Sequence, residues 1–491
     1  MTIGQCLLHP EQPEYGLKQK QDPEQIEMQT TSTGQITGAI VDPEICQPYE
    51  IGARGEKGRA AFILRPNDIA EASRLVAEAV NSGIRLIPQG ANTGLVAGSV
   101  PDETGAQGII STDRLRSTLK IDPVERTATV SAGIRLSEVN AAAAAHGLYL
   151  PIDLGADPMI GGMVATNTGG ARFLRHGDMR RRTLGLTVVL PEKEGSVLTL
   201  GGLRKDASGP DWKQIFIGTG GSFGLIAEAV LELANIPKRT ATALLVPGNP
   251  DCVTRLLVEM EQTWGEALSA FELMSAPAID AALSHAPEIR NPFPGKTPDL
   301  TVLIEVAHSV PYTSDERSLD ALFQDAIGDL WERDSDLITD AVFGPPEKLW
   351  ALRHALPEGV KKAGRLFAFD LSFRRSDLMT FRTRVIDELV SFDAALVACD
   401  FGHVGDGGLH LDIVLPRAET RPPDYEFKLR NLVVDLARQH GGSFSAEHGL
   451  GAKNQHFYDA FEPVQNKMMA LGLQSALGLS AMGSVQLFGE D

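Results

Sequence analysis

Pro88-Gln-Gly-Ala-Asn-Thr-Gly-Leu-Val-Ala-Gly-Ser-Val-Pro101 continues a strand-like stretch, IRLIPQ, and places glycines at positions 90, 94 and 98. Glycine accepts φ > 0, so successive N–H groups in such a loop can converge on an anion. A plain turn has no need of three glycines together with Asn92, Thr93 and Ser99, and the stretch reads as a phosphate cradle. Upstream, AAFILR has the character of a strand and PNDIAEASRLVAEAVNSG that of a helix, with Asn67 as its N-cap and Gly83 at its end. The opening is therefore β–α–β.

Two further glycine clusters follow. Gly161-Gly-Met-Val-Ala-Thr-Asn-Thr-Gly-Gly170 comes after PIDLGADPMI, and Ile215-Phe-Ile-Gly-Thr-Gly-Gly-Ser-Phe-Gly-Leu-Ile226 leads into AEAVLELA. Neither fits G-x-G-x-x-G, because Phe223 stands where the third glycine belongs, and GxxxxGK[ST] is absent. The nicotinamide and P-loop readings are disfavoured on that ground. In this order the three clusters resemble the vanillyl-alcohol-oxidase type of FAD-binding domain, over roughly residues 55–490.

That resemblance implies an α+β fold, in which an FAD-binding domain is joined to a cap domain built on an antiparallel sheet with flanking helices. It implies cofactor contacts at Pro88, Gly90, Ala91, Asn92, Thr93, Gly94, Gly98 and Ser99. A second group comprises Gly162, Ala165, Thr166, Asn167, Gly169 and Gly170, and a third Gly220, Gly224 and Ile226. Some members of the family hold the flavin through a His in the first loop. No His lies between positions 88 and 101, so noncovalent FAD is expected.

At 491 residues the chain exceeds one ordinary core. The pattern changes near Pro237, from short strands to longer helices alternating with strands. The expected organisation is an irregular lead-in over 1–54, the FAD-binding domain over 55–237, a substrate or cap domain over 238–420, and a C-terminal helical segment over 421–491 that completes the active site. A net charge of −19 argues against nucleic-acid binding. Cys6, Cys46, Cys252 and Cys399 form no CxxC pair. Together with the lack of an apolar signal or spanning segment, they point to a soluble cytoplasmic protein. A homodimer is the general prior for soluble enzymes.

A fourth cluster carries chemistry of its own: Cys399-Asp-Phe-Gly-His-Val-Gly-Asp-Gly-Gly-Leu-His-Leu-Asp412. Asp406-Gly407 is a strong two-residue hairpin turn. With those two as the loop, His403 faces His410 with Cβ atoms about 4.5–5.5 Å apart, close enough to share a metal. Ser445-Ala-Glu-His-Gly-Leu-Gly451 supplies Glu447 as a third ligand and His448 beside it. Two His and a Glu with an open position suit Zn2+ or another divalent metal such as Mn2+.

FGHVGDGGLH and SAEHGLG resemble the paired signatures of the FAD-linked D-2-hydroxy-acid dehydrogenases, the group of D-lactate and D-2-hydroxyglutarate dehydrogenases. The resemblance makes His403, His410 and Glu447 the metal ligands and His448 the catalytic base, in contact with substrate. It makes Arg353, in Trp350-Ala-Leu-Arg353, the residue that binds a substrate carboxylate. The implied reaction oxidises a D-2-hydroxy acid to the 2-oxo acid and passes electrons to an acceptor such as an electron-transfer flavoprotein or a quinone.

Some positions depart from the family. Gly408 replaces an Asn, Asp412 stands where Asn is usual, and Gly220 replaces a Glu. Pro357 and Ala368 occupy places where a D-2-hydroxyglutarate dehydrogenase has Thr and Lys, and SAMGSV stands near the end in place of Asn-Pro-Gly-Lys. Fewer cations then surround the substrate, and a neutral side chain is expected on it. The alternatives are D-2-hydroxyglutarate itself, an oxidase or other flavin chemistry, and a non-catalytic flavoprotein subunit. Arg172, Arg175, Arg180, Arg181 and Arg182 form a basic run, read either as a solvated face or as contacts to FAD phosphates or an acidic carrier.

Overall fold

The β–α–β opening forms a three-stranded parallel sheet in the order Ala60–Leu64, Gln107–Ser111, Leu86–Gln89. In this computed structural model residues 36–311, 317–416 and 420–487 are described. The helix Ile69–Asn81 buries Ala72, Leu75, Val76 and Ala79 against that sheet, the i, i+3, i+4, i+7 stripe of an amphipathic helix. Its N-cap is Asp68, whose carboxylate accepts the Glu71 N–H at 2.8 Å. The expected cap, Asn67, lies one residue earlier and donates its own N–H and side-chain amide to the Glu71 carboxylate.

A five-stranded antiparallel sheet follows, ordered Leu119–Asp122, Thr127–Ser131, Leu225–Glu232, Thr183–Val189, Val197–Gly201. The helix Ile160–Thr166, cut from the second glycine cluster, packs Ile160, Met163 and Val164 into its core. The second glycine cluster thus meets this sheet as a short helix packed against its central strand, Leu225–Glu232, and the third as the turn entering that strand.

The rest is organised by a seven-stranded antiparallel sheet. Its order is Ile338–Gly344, Arg239–Pro247, Leu300–His308, Leu268–Ser275, Val397–Gly402, Gly408–Leu415, Arg365–Ser372. Helices Pro250–Trp264, Leu319–Arg333, Arg375–Phe392 and Tyr425–Gln439 cover one face through residues such as Leu256, Phe323, Phe381 and Leu429. Helices Ala276–His285 and Pro346–Lys362 cover part of the other. Strands with both faces covered lose the polar alternation of a half-exposed sheet, and Leu268–Ser275 is buried at every position.

Three stretches differ from the sequence reading. The lead-in is not irregular throughout: Pro43–Glu50 is a helix capped by Asp42, with Pro43 at its first turn and Cys46 buried beneath it. Residues 1–35 lie outside the described residues. The final segment is not helical to the end. After Gln455–Phe461 and Val464–Ala476 the chain turns back as irregular structure. Gly483 N–H donates to the Leu86 carbonyl at 2.8 Å, Ser484 Oγ to the Gly98 carbonyl at 2.6 Å, and Ser222 Oγ to the Val485 carbonyl at 3.1 Å. SAMGSV therefore stitches the first glycine loop to the third. Nor is the arginine run simply a solvated face. Arg172 pairs with Glu305 and Asp153, Arg182 pairs with Glu232, and Arg175 donates to the Ala307 carbonyl. These contacts tie the segment to the neighbouring strands.

Candidate active site

The first three glycine clusters meet around one cavity of about 500 Å³. Pro88, Gly90, Ala91, Asn92, Thr93, Gly94, Gly98 and Ser99 line it from the first loop, Gly162, Ala165, Thr166 and Gly170 from the second, and Gly220, Gly224 and Ile226 from the third. Asn92 and Ala97 hold left-handed backbone at φ 55° and 61°, a strain that persists where the surroundings dictate the loop's shape. The loop is braced from within: Ser99 Oγ donates to Asn92 Oδ1, Asn92 Nδ2 to the Ile51 carbonyl, and the buried Gln89 amide to the carbonyls of Tyr49 and Ser99. A Cβ added at Gly94 or Gly162 would meet no protein atom within 4 Å. These two glycines keep the cavity open for a bulky anionic ligand.

Two expected cofactor residues stand outside this lining. Asn167 turns its amide to Asp178 and its carbonyl to the Arg180 N–H, bracing the short helix that follows. Gly169 makes room for a neighbour: a Cβ there would lie 2.6 Å from Glu447 Oε1.

The fourth cluster closes the cavity from the seven-stranded sheet, in a register different from the expected one. Phe401, not His403, lies opposite His410, and residues 403–407 form a wider loop. The His403 carbonyl accepts both the Asp406 and Gly408 N–H groups, and Gly402 at φ 128° redirects the chain into the loop. The slip is two residues. Because side chains alternate with period two, Phe401 shares the face of His410, and the turn at Gly402 brings His403 beside them. The His403 and His410 rings accordingly meet edge-on with centroids 5.1 Å apart, and His448 stacks on His410 at 5.5 Å. One potential ligand atom each from His403, His410 and Glu447 lies within 4.8 Å of the others.

Two acids that sequence reasoning passed over hold this cluster. Glu272, on Leu268–Ser275, accepts from His403 Nδ1 at 2.7 Å and from Arg353 Nε at 2.8 Å. Burial would raise its carboxyl, but His403 and Arg353 hold it down to about 2. With Nδ1 engaged, His403 turns Nε2 towards Glu447, 3.5 Å away. Asp370, on Arg365–Ser372, accepts three consecutive N–H groups, those of Ala446, Glu447 and His448, at 3.0, 2.8 and 2.8 Å on Oδ2. Its Oδ1 is buried without a hydrogen-bond partner among the described residues, 3.6 Å from His410 Nδ1. A second possible triad, Asp370, His410 and His448, satisfies the same spacing. Three N–H groups occupy Asp370 Oδ2, which leaves Oδ1 as the atom it offers to that triad. Burial works against charge on His403 and His410 alike. His403 is nonetheless pulled well above the usual imidazole range by Glu272 and Glu447, while His410 falls to about 3 beside it.

Arg353 is not the surface ion pair that its helix position allows. It is buried, stacks over Phe401 with its guanidinium 5.1 Å from the ring centre, and lines the cavity with Nε committed to Glu272. Next to it, Trp350 Nε1 donates to Glu305 Oε2 at 2.8 Å, and Glu305 also receives Arg172. A lone Glu in each of LSAFELMS and LTVLIEVAH, strands otherwise nearly devoid of charge, was the available signal for Glu272 and Glu305. Asp412 lies two residues beyond His410 on the same face, opposite Ala368 on one neighbouring strand and Cys399 on the other. Burial pushes its carboxyl up to about 7.

The FAD binding domain family matches residues 60–201, and the C-terminal domain family of FAD-linked oxidases matches residues 236–470. A probable D-2-hydroxyglutarate dehydrogenase, mitochondrial, of Oryza sativa subsp. japonica is 33% identical over 83% of this chain and 72% of its own. A D-2-hydroxyglutarate–pyruvate transhydrogenase of Saccharomyces cerevisiae is 31% identical over 86% and 84%. A putative mitochondrial D-lactate dehydrogenase of Schizosaccharomyces pombe is 30% identical over 82% and 76%. Among solved structures, alkyldihydroxyacetonephosphate synthase shares the fold, with a TM-score of 0.62 and 17% identity over 83% of this chain and 77% of that one. The mitochondrial names of the Oryza sativa and Schizosaccharomyces pombe relatives and of several others overturn the cytoplasmic expectation. Unpaired cysteines mark a reducing environment without saying which compartment provides it. No helix among the described residues is long and apolar enough to cross a membrane. By these matches, and by three glycine loops converging on one cavity, the chain binds FAD and belongs to the FAD-linked D-2-hydroxy-acid dehydrogenase family.

Proposed function

We propose that the chain oxidises a D-2-hydroxy acid, using noncovalently held FAD and a divalent cation such as Zn2+ or Mn2+ held by His403, His410 and Glu447. The observation that carries this reading is the hydrogen bond from His403 Nδ1 to buried Glu272. It orients the ring so that Nε2 points into the cluster, where a cation would take the place of the Nε2 proton, the arrangement that orients metal-binding histidines in general. The unpartnered Asp370 Oδ1 beside His410 Nδ1 supports it further. A bound cation would supply Lewis acidity at the substrate hydroxyl, and FAD would supply a two-electron acceptor.

The protein groups do the rest. Arg353, its Nε fixed by Glu272, offers the remaining N–H groups to the substrate carboxylate. His448, whose backbone is held by Asp370, receives the hydroxyl proton as C2 is oxidised. Gly169 leaves Glu447 the room it needs under the second loop. At the far end Ala368 and Pro357 bring no cation, and the charge of Arg54 is met there by that of Asp412, which favours a neutral side chain. D-2-hydroxyglutarate is the second reading, favoured by the names of several relatives.

Anaerobic bleaching of the flavin tests both. Bleaching by D-lactate or larger neutral D-acids, abolished by chelator and restored by Zn2+ or Mn2+, is the expected result. Preferential bleaching by D-2-hydroxyglutarate would establish the second reading, and bleaching unaffected by chelator would remove the metal.

A further inference from the structure

Trp350 and Arg353 lie three residues apart on the helix Pro346–Lys362 and share one side of it. A different buried acid holds each. Glu272 accepts from Arg353 Nε, and Glu305 accepts from the Trp350 indole N–H. The two acids stand on adjacent strands, Glu272 opposite Leu303 and Glu305 opposite Ala270. That register puts both on one face of the sheet, with Cα atoms roughly 7–8 Å apart. Carboxylates so close in an apolar sheet are costly unless each has a cation of its own. Arg353 serves Glu272, and the cation for Glu305 is Arg172.

Arg172 belongs neither to that helix nor to the sheet. It follows the second glycine loop directly. Its guanidinium bridges Glu305 and Asp153 and lies 4.8 Å from the centre of the Trp350 ring. The loop is seated tightly at this point: the Ala171 N–H donates to the Asp153 carbonyl, and a Cβ on Gly170 would lie 2.6 Å from that oxygen. Asp153, Gly170 and Trp350 all line the cavity. A continuous path therefore runs from the second glycine loop through Arg172 and Glu305 to Trp350, and along one turn of helix to Arg353. Apolar packing would join loop to sheet without the cost of burying ions. A guanidinium fork and an indole N–H on one carboxylate fix direction as well as distance.

From this geometry we infer that Arg172 and Glu305 are positioning residues. Acting through Trp350, they set the helix that carries Arg353, and with it the substrate carboxylate, in register with the second flavin-binding loop. The inference rests on the dehydrogenase reading above and adds what aligns its substrate.

Anaerobic stopped-flow reduction of the intact holoenzyme, by whichever D-2-hydroxy acid bleaches it best, separates a limiting rate from a half-saturating concentration. In Glu305→Gln the limiting rate should fall about 10- to 100-fold, the scale of a misaligned reactant. The half-saturating concentration should stay within about threefold of wild type, because Glu272 still holds Arg353 and binding is affected far less than alignment. Oxalate has no C2–H bond to break, and its calorimetric affinity for the oxidised holoenzyme should likewise be kept. Arg172→Gln should lose a similar factor in rate, and the double variant no more than either single one, since residues that act as a unit are non-additive. Arg172→Lys keeps the charge without the fork and should recover part of the rate. Should Glu305→Gln lose its flavin or fail to fold, Trp350→Phe removes the indole N–H without uncovering a charge and should show the same split at smaller size. A limiting rate at the wild-type level in these variants, losses that multiply in the double variant, or a loss confined to substrate and oxalate affinity overturns the positioning role and leaves the dehydrogenase reading standing. If no D-2-hydroxy acid bleaches the wild-type flavin, that reading falls and this inference falls with it.

Discussion

The two faces of the seven-stranded sheet are made by the same strands and behave as opposites. Along Gly408–Leu415, Leu409, Leu411, Ile413 and Leu415 turn to the helices and are buried among apolar side chains. Between them, His410 and Asp412 turn to the cavity, where neighbouring groups are acids, imidazoles and Arg353. The helix-covered face is satisfied by packing alone. The cavity face holds groups that the protein leaves incompletely partnered, Asp370 Oδ1 and Asp412 among them. Polar burial of this kind is costly, and the stability of the apolar face offsets it.

Adjacent residues on that strand break the comparison most sharply. His410→Ala should cost several kcal/mol of transition-state stabilisation, about a thousandfold in kcat/KM, with a thermal midpoint close to wild type. Leu411→Ala, one residue on and fully buried, should do the reverse. It should lose about 2–5 kcal/mol of stability in urea unfolding, while the bleaching rate per folded molecule stays near wild type. Equal effects of the two on both readouts would mean that the faces are not separable.

Smaller changes sharpen it. Glu272→Gln keeps the shape of the support behind His403 but removes its charge, and should weaken metal retention about 10- to 100-fold in a competition assay with a chromogenic chelator. His176 supplies a contrast from outside the cluster. It is buried beside Tyr149, and burial first, then Arg182, Arg175 and Arg172, push its imidazole down to about 3. A histidine depressed in the fold contributes fully above the unfolded value near 6.5 and loses that contribution as pH falls towards 3. Unfolding free energies from urea titrations should therefore drop between pH 7 and pH 5 by about 2 kcal/mol more in wild type than in His176→Gln.

The glycine loops were legible because their chemistry lies in the backbone, and backbone demands select residue types that a reader can see. The hairpin was legible in content and not in register. Asp406-Gly407 favours a tight turn, yet the His403 carbonyl captures two N–H groups and opens a wider loop. The wider loop still brings the histidine rings within 5.1 Å of each other. Glu272 and Asp370 went unread as parts of the site because one acid in an apolar strand has no local partner in the chain: its meaning comes from a histidine 131 residues away or a loop 76 residues on. Asn67 lost the helix cap to Asp68 by one position, within the usual uncertainty of helix ends. The return of residues 477–487 across the glycine loops left no periodic trace, since it is held by single hydrogen bonds and by the apolar anchors Leu479, Met482, Val485 and Leu487, whose spacing is neither helical nor strand-like.

That return has a temporal consequence. Ser484 binds the Gly98 carbonyl across a separation of 386 residues. A chain emerging from the ribosome folds its early units first, so the loops that cradle the flavin exist long before the segment that pins them is synthesised. Cofactor capture in its final form is then a late event, sealed after the substrate-side sheet has been made. A nascent or truncated chain would hold flavin in an unlatched cradle and exchange it faster than the finished protein.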